Sequence, residues 1–327
     1  MRILITGGAG FIGSHLTEAL LQRGDEVSIV DNLSTGTPEN ISHLLSHPNL
    51  ELTKGSVTDL YLMERLAEPC DQIYHLAAAV GVRLIMERPL ETIETNVRGT
   101  EIILQVASRF NCKVAVASTS EIYGKNSSGP LGEDHDRVMG SVKKQRWAYA
   151  NTKTLDEFLA LAYYRDRGLQ VVILRFFNTV GPRQSGEYGM VIPRFVQQAL
   201  AGDPIQVFGD GRQSRCFCHV SDTVRGMMAL MDHQDAVGEV FNLGNPAEIT
   251  IEDLAKKVKT MTGSSSPIVS VPYGEAYGEG FEDMKRRVPD LAKIGALVGY
   301  EPQMDLESTL RSVIEHFQKT QPPKAAP

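Results

Sequence analysis

The chain has 327 residues, of which 42% are hydrophobic and 22% are charged, and its formal net charge is −7 at pH 7. This composition is that of a globular protein that can bury a large core, as one large domain or two closely associated ones. The negative charge argues against nucleic acid as a partner, and no run of about 18 apolar residues is present to cross a membrane. Because the first predicted strand begins at once, we expect no signal peptide and a cytoplasmic location.

The first predicted elements are a strand, a glycine-rich turn and a helix. An aliphatic run over 2–5 predicts a buried strand, and residues 14–21 continue as a helix after the turn. Gly7 permits a sharp turn, Gly10 lets the backbone approach a pyrophosphate, and Gly13 lets the helix pack closely on the sheet. Free N–H groups at the start of the helix favour phosphate, so the stretch predicts a dinucleotide site.

The second predicted strand, 27–30, is followed by Asp31. A carboxylate at this place accepts hydrogen bonds from both adenosine ribose hydroxyls and repels a 2′-phosphate. Asn32 follows and no arginine stands beside it, so the sequence favours NAD over NADP. The loop that contains Ser34 can close over the adenosine, and a third strand near residue 51 leads to a site for the adenine.

The next strand, beginning at residue 72, ends in small residues that allow a flat ring to approach the backbone. His75 lies among apolar neighbours in this strand, so we interpret it as a packed residue without a chemical role. A helix is predicted over 91–109 from its apolar spacing. The strand over 114–117 then ends in hydroxyls and a carboxylate, which is where open α/β sheets place their ligands.

Tyr149 and Lys153 are four residues apart in a predicted helix that continues to residue 167, so they share one face. The positive charge of a lysine beside a phenol lowers the phenol's pKa, as an oxidised nicotinamide ring also would. The pair therefore predicts a tyrosine base, although the same spacing is also typical of a surface pair.

Taken together in this order, the glycine turn, Asp31, the Ser118–Glu121 cluster and the Tyr149/Lys153 pair resemble the extended short-chain dehydrogenase/reductase family. The resemblance implies an α/β Rossmann fold with a doubly wound parallel sheet and a smaller, interleaved C-terminal α/β substrate domain. We expect the NAD domain to comprise 1–175 and about 216–247. The nucleotide-sugar domain would then comprise about 176–215 and 248–327.

The resemblance also implies the cofactor, the substrate class and the site residues. The implied cofactor is NAD, and the implied partner is a nucleotide sugar in UDP-linked form. The implied assembly is a homodimer formed through helices near 91–109 and 149–167. The predicted NAD-binding residues are Gly7, Gly10, Phe11, Ile12, Gly13, Asp31, Asn32, Ser34, Ser56, Val57, Leu76, Ala77, Ala78, Asn96, Ser118, Tyr149 and Lys153. The predicted catalytic residues are Thr119, Ser120, Glu121, Tyr149, Lys153 and Arg287. The predicted substrate-binding residues are Asn178, Arg183, Val191, Arg194, Arg215 and Arg287.

The particular reaction is predicted from the residues that follow Thr119. Family dehydratases carry Thr-Asp-Glu where this chain has Thr-Ser-Glu, so the acid needed to expel a C6 hydroxyl is missing. The Thr-Ser-Glu form and the stretches 133–149 and 277–289 are similar to UDP-glucuronate decarboxylases, which use an arginine where this chain has Arg287. Val288 departs from the Arg-Lys-Pro that those enzymes usually carry.

These features favour decarboxylation of UDP-glucuronate through a 4-keto intermediate. The alternative is a UDP-hexose or UDP-hexuronate 4-epimerase, with a 4,6-dehydratase or a non-catalytic NAD-binding protein as weaker possibilities. No metal site is predicted, because Cys216 and Cys218 have no second pair of ligands at a finger-like distance.

Overall fold

The computed structural model describes residues 1–81, 88–126, 128–186, 189–277, 282 and 284–320. Part of the 277–289 stretch that carries some of the resemblance, namely 278–281 and 283, lies outside the described residues, as do 321–327. The strands, in chain order, are β1 (Arg2–Thr6), β2 (Glu26–Asp31), β3 (Leu50–Lys54), β4 (Gln72–His75), β5 (Lys113–Thr119), β6 (Val171–Phe176), β7 (Thr179–Val180), β8 (Ile205–Phe208), β9 (Ser214–Cys216), β10 (Cys218–His219), β11 (Glu239–Leu243), β12 (Glu248–Thr250) and β13 (Ile268–Val271).

The α-helices of the described residues follow the strands in an alternating pattern. They are α1 (Phe11–Arg23), α2 (Leu60–Ala67), α3 (Pro89–Phe110), α4 (Ala148–Arg167), α5 (Val191–Ala201), α6 (Val220–Asp232), α7 (Ile251–Thr262), α8 (Tyr273–Tyr277), α9 (Ala292–Val298) and α10 (Leu306–Thr320). Short 3₁₀ segments lie at Pro38–Leu44, Ser120–Tyr123, Gln145–Trp147 and Gln234–Ala236. Within the described ranges, no helix is both long enough and apolar enough to cross a bilayer.

A seven-stranded sheet in the order β11-β6-β5-β4-β1-β2-β3 forms the centre of the molecule, and its neighbouring strands pair in parallel. The chain proceeds outward from β1 to β3 and then returns to place β4 on the other side of β1. The strand order therefore reverses between β1 and β4, which opens a crevice at the carboxyl ends of the strands. The predicted Rossmann-type fold is confirmed.

Both faces of the sheet are covered, which explains why the central strands are apolar along their whole length. Successive side chains of β1 alternate between the two faces. Ile3 and Ile5 pack in the core that includes α1 and α6, whereas Leu4 packs in the core that includes α2 and α3. This alternation fixes the position of the turn after β1 relative to the rest of the sheet.

A third core lies outside the large sheet. It contains apolar residues of α5, α7 and α10 together with Ile205 and Val207 of β8. Three two-stranded sheets, β7 with β10, β9 with β12 and β8 with β13, belong to this part of the chain. These elements face the carboxyl ends of the large sheet and form the other wall of the crevice.

The predicted helices are present, with boundaries shifted by a few residues. The helix predicted over 14–21 begins at Phe11 and ends before Gly24, whose φ of 91° closes it in a left-handed conformation. The helix predicted over 91–109 ends before Asn111, at a φ of 58°, and the one predicted to reach residue 167 ends before Gly168, at 67°.

His75 is a buried strand residue, as predicted, and His15 of α1 is also largely buried. The ring nitrogens of His75 pair with the hydroxyls of Thr6 and Thr100, and Nε2 of His15 lies 3.0 Å from the carbonyl oxygen of Pro182. Burial lowers the pKa of His15 to about 4 and the pKa of His75 to about 3. Both imidazoles are therefore neutral in the folded protein near neutral pH.

We expect the free energy of unfolding to fall as the pH drops from about 6.5 toward 4, since the unfolded chain binds protons at both histidines while the folded chain does not. Urea unfolding at neutral pH and near pH 5 measures this change. His15→Gln should reduce the pH dependence of the free energy of unfolding. Equal pH dependence in the wild type and His15→Gln would contradict the assignment.

Candidate active site

A cavity of about 910 Å³ runs along the carboxyl ends of the sheet strands. It is lined by every predicted site residue except Ser56 and Asn96. On the cofactor side these are Gly7, Gly10, Phe11, Ile12, Gly13, Asp31, Asn32, Ser34, Val57, Leu76, Ala77, Ala78 and Ser118. Around the predicted chemistry they are Thr119, Ser120, Glu121, Tyr149, Lys153 and Arg287, and on the far wall Asn178, Arg183, Val191, Arg194 and Arg215. The fold thus gathers residues that are far apart in the chain.

The turn between β1 and α1 has the shape that a dinucleotide requires. Gly7 has a φ of 73°, and a Cβ added there would lie 2.9 Å from the backbone nitrogen of Ala77. A Cβ on Gly13 would collide with the carbonyl oxygen of Gly7. Gly10 caps α1 without a side chain, and the first turn of α1 carries no acidic residue. The helix N-terminus therefore presents its N–H groups to the cavity, as a pyrophosphate needs.

Asp31 stands at the end of β2 beside this turn. Its Oδ1 accepts a hydrogen bond from the backbone of Leu33 at 2.8 Å, and its Oδ2 accepts one from the backbone of Ala9 at 3.0 Å. Burial raises the pKa of Asp31, although these two hydrogen bonds act in the opposite direction. The backbone holds the carboxylate in one orientation at the cavity wall, where it suits a ribose diol.

Ser56 and Asn96 do not line the cavity. The hydroxyl of Ser56 lies 2.7 Å from that of Thr58, in the turn that leads to α2. The Oδ1 of Asn96 accepts a hydrogen bond from the backbone of Ala79 at 2.8 Å, so Asn96 holds the segment that follows β4. The direct contacts predicted for these two residues remain predictions, while the geometry gives Asn96 a supporting position.

Tyr149 and Lys153 reach the cavity from the first turns of α4, and Thr119 reaches it from the end of β5. The Nζ of Lys153 lies 2.7 Å from Oδ2 of Asp156, which is also on α4. Burial raises the pKa of the Tyr149 phenol, and the negative charges of Glu121 and Asp156 raise it further. Burial and these two carboxylates set the net direction of this pKa, and the lowering expected from Lys153 and an oxidised nicotinamide stays a prediction.

Glu121 is held between two arginines. Its Oε2 accepts a hydrogen bond from Nη1 of Arg146 at 2.6 Å, and its Oε1 lies 3.8 Å from Nη1 of Arg287. Burial alone would raise the pKa of Glu121, but the charges of Arg146 and Arg287 outweigh burial and hold the pKa below its usual value. Glu121 is consequently a stable carboxylate that faces two arginines of the cavity wall.

Asn178 connects this cluster to the far wall of the cavity. The Nη2 of Arg287 donates a hydrogen bond to Oδ1 of Asn178 at 2.5 Å, and Nδ2 of Asn178 donates one to the carbonyl oxygen of Cys216 at 2.8 Å. Cys216 is fully buried in β9, and burial raises the pKa of its thiol to about 12. The position of Arg287 is thus set from both sides of the crevice.

Two more predicted substrate residues have partners within the protein. Arg183 has a φ of 69°, and its Nη2 lies 2.5 Å from Oε2 of Glu18 on α1. This contact ties the loop after β7 to the cofactor helix. The guanidinium of Arg194 lies over the ring of Phe208, 3.7 Å from its centroid, and both line the cavity.

Two charged residues in or beside the cavity were not among the site residues predicted from the sequence. Arg146 lines the cavity and pairs with Glu121, yet it belongs to a polar segment that resembles an ordinary surface loop. Asp156 is completely buried and pairs with Lys153. Its spacing of three residues from Lys153 on one helix was a signal that could have identified it.

A comparison with known protein families assigns this architecture. The model of the NAD dependent epimerase/dehydratase family matches residues 3–244. The chain belongs to this family. It is therefore an enzyme of the NAD-dependent epimerase/dehydratase class, and the predicted membership of the extended short-chain dehydrogenase/reductases is confirmed.

Several relatives of this epimerase/dehydratase family member match it over nearly its whole length. It is 44% identical to a UDP-N-acetyl-alpha-D-glucosaminuronate decarboxylase of Bacillus cytotoxicus, across 97% of this chain and 98% of the relative. It is 39% identical to UDP-glucuronic acid decarboxylase 1 of Xenopus tropicalis, across 97% of this chain and 72% of the relative. A UDP-glucuronic acid 4-epimerase of Bacillus cereus, solved with UDP-glucuronic acid and NAD, superposes with a TM-score of 0.89 at 29% identity, covering 98% of this chain and all of that one (100%).

Proposed function

We propose that the protein is an NAD-dependent decarboxylase of a UDP-hexuronate, with UDP-glucuronate as its substrate. The observation that carries the proposal is the charge around Glu121. Arg146, Arg287 and Arg215 all act on this single carboxylate as cations. These arginines line the cavity together with Glu121, and a planar guanidinium pairs well with a carboxylate, so this part of the cavity suits the C6 carboxylate of a hexuronate.

The glycine turn and Asp31 fit NAD. Side chains at Gly7 and Gly13 would occupy backbone space, and the α1 N-terminus is open to a pyrophosphate. Asp31 would hold the adenosine ribose and Lys153 the nicotinamide ribose. When bound, NAD accepts a hydride from the sugar and later returns it.

The residues of the chain manage the protons of the reaction. The Thr119 hydroxyl would orient the C4 hydroxyl of the sugar, and the Tyr149 oxygen, once ionised to the phenolate, would take its proton as C4 is oxidised. The resulting 4-ketone lies β to the C6 carboxylate, so the C5–C6 bond can break with release of carbon dioxide. Its electron pair passes into the enolate of the ketone, and C5 is then protonated. Ser120, Glu121 and Arg287 would orient the carboxylate during this step.

A second candidate differs at C2 of the sugar. The 44% identical relative is named for a substrate with an N-acetyl group, whereas several relatives at 38–40% identity are named UDP-glucuronic acid decarboxylases. UDP-N-acetylglucosaminuronate is therefore the alternative substrate for the same chemistry. The 4-epimerase alternative draws on the 29% identical Bacillus cereus structure, whose substrate is also a hexuronate.

Product analysis separates these activities. The purified protein is incubated with NAD and, separately, with UDP-glucuronate, UDP-N-acetylglucosaminuronate and UDP-glucose, and the products are identified by mass and NMR. We expect loss of the mass of one carbon dioxide from UDP-glucuronate and no product from UDP-glucose. Decarboxylation of the N-acetylated substrate alone would favour the second candidate, and an unchanged mass with inverted C4 would establish the 4-epimerase.

The assembly, the domain division and the location are also proposals. A homodimer through α3 and α4 is supported by apolar side chains exposed there, since Ile93, Leu155 and Phe158 are 41%, 44% and 56% exposed. The third core supports a nucleotide-sugar domain of about 176–215 and 248–327 beside an NAD domain of 1–175 and about 216–247. The cytoplasmic location also remains a proposal.

A further inference from the structure

Lys153 and Asp156 form a buried ion pair at the back of the active-site cavity. Their side chains are 2% and 0% exposed, and the Nζ–Oδ2 distance is 2.7 Å. Both residues lie on α4, one turn apart, and Tyr149 is four residues before Lys153 on the same helix. The pair is therefore part of the helix that delivers the two groups of the proposed proton transfer.

Asp156 has no other cationic partner among the described residues. Its second oxygen, Oδ1, is buried and makes no hydrogen bond within the described ranges. The next residue, Glu157, differs: it accepts hydrogen bonds from Nε and Nη2 of Arg175 at 2.9 and 2.8 Å. The charge of Asp156 is thus directed at Lys153, while that of Glu157 is neutralised by Arg175 of β6.

The other groups that face the pair do not replace Asp156 as a counter-charge. Within the part of the chain that the structure describes, His75 of β4 interacts electrostatically with Lys153, and it is neutral because burial lowers its pKa to about 3. On α4 itself, burial and the charges of Glu121 and Asp156 raise the pKa of Tyr149, so its phenol does not act as the counter-charge of Lys153 in the described site. Glu121, between Arg146 and Arg287, acts on Tyr149 from the other side.

A buried ammonium group without a counter-charge is costly, and it responds by releasing its proton. We propose that Asp156 is a positioning residue that keeps the Lys153 ammonium charged and directs it toward the cofactor ribose and Tyr149. The inference rests on the role proposed above for Lys153. It explains why a carboxylate is placed beside Tyr149 even though its charge opposes ionisation of the phenol.

The test is Asp156→Asn. This variant keeps the shape of the side chain and an oxygen that can accept a hydrogen bond from Lys153, but it removes the negative charge. The dependence of kcat/KM on pH should change shape, because Lys153 would lose its proton on the alkaline side. We expect the alkaline limb of this profile to move down by about one pH unit or more. The decrease in kcat/KM relative to the wild type at about pH 9 should then exceed the decrease at about pH 6.5 by roughly tenfold. Asp156→Glu restores the charge and should restore most of the wild-type profile.

NAD affinity, measured by calorimetry without any sugar nucleotide, gives a second readout. In Asp156→Asn it should weaken on going from about pH 6.5 to about pH 9, whereas the wild type should change little. Glu239→Gln is the matched control, since it removes the charge of a largely exposed carboxylate that lies 2.7 Å from Lys293. It should leave both pH profiles unchanged.

The proposal is overturned if Asp156→Asn loses stability or activity by the same factor at all pH values, because that result describes a merely structural ion pair. It is also overturned if NAD affinity keeps its wild-type pH dependence. If the wild type binds NAD but turns over no UDP-hexuronate, the proposed function fails while the affinity measurement still decides the role of Asp156.

Discussion

Tyr149→Phe is expected to lower kcat by about 10²- to 10⁴-fold, the range associated with loss of a general acid–base group. The phenol lies in the cavity, and its side chain is largely buried, so phenylalanine fills the same space. Only the oxygen that takes the C4 hydroxyl proton is removed. Single-turnover formation of reduced nicotinamide from UDP-glucuronate measures the affected step directly.

Tyr164→Phe is the matched control for this substitution. It removes a hydroxyl from the same helix, but Tyr164 is 39% exposed and does not line the cavity. Its kcat and its NAD affinity should equal those of the wild type. Retention of more than about a tenth of the wild-type rate in Tyr149→Phe would show that another group accepts the proton.

The environment of Tyr149 shows where reasoning from the sequence reaches its limit. The spacing of Tyr149 and Lys153 correctly places both on one helix at the cavity, because helical periodicity is a local property. The negative charges of Asp156 and Glu121, which raise the pKa of the phenol, were not anticipated from this spacing. Glu121 comes from a different strand end, and no local pattern reports that approach.

The cofactor side was more predictable for a physical reason. Gly7 and Gly13 are required by backbone contacts within one strand, turn and helix, so their roles can be inferred from the residues themselves. Asp31 ends the neighbouring strand, and parallel pairing brings it to the same edge of the sheet. The direct contacts of Ser56 and Asn96 stay predictions, since neither residue lines the cavity and their side chains bond to Thr58 and to the backbone of Ala79.

Only part of the cluster around Glu121 was predicted from the sequence. Arg287 was identified from its resemblance to an active-site arginine, but Arg146, which donates the 2.6 Å hydrogen bond, had no distinguishing pattern. Its segment folds back over the sheet through contacts with distant parts of the chain, including the 2.8 Å hydrogen bond from Leu131 to Val288. Tertiary contacts of this kind determine which arginine faces which carboxylate.

Arg287→Met should abolish the preference for a hexuronate. Removing one partner of a buried charge pair costs about 2–5 kcal/mol, so kcat/KM for UDP-glucuronate should fall about 10²- to 10³-fold. The variant removes the guanidinium that contacts Asn178 and faces Glu121. Equilibrium binding provides the specific measurement: affinity for UDP-glucuronate should fall toward that for UDP-glucose, whose own affinity should change much less.

The neighbouring Arg286 supplies a stringent control for that result. Its Nε donates to both oxygens of Glu248 at 3.0 and 3.1 Å, and its side chain is 38% exposed, so Arg286→Met removes an equal charge outside the cluster. Arg287→Met should also raise the pKa of Glu121, because one of the cations that depress it is lost. The carboxylate would then take up its proton at a higher pH, and the acidic limb of any step that needs it charged would move upward. Equal losses in the two variants, or equal losses of UDP-glucose and UDP-glucuronate affinity in Arg287→Met, would rule out a carboxylate-specific role for this arginine.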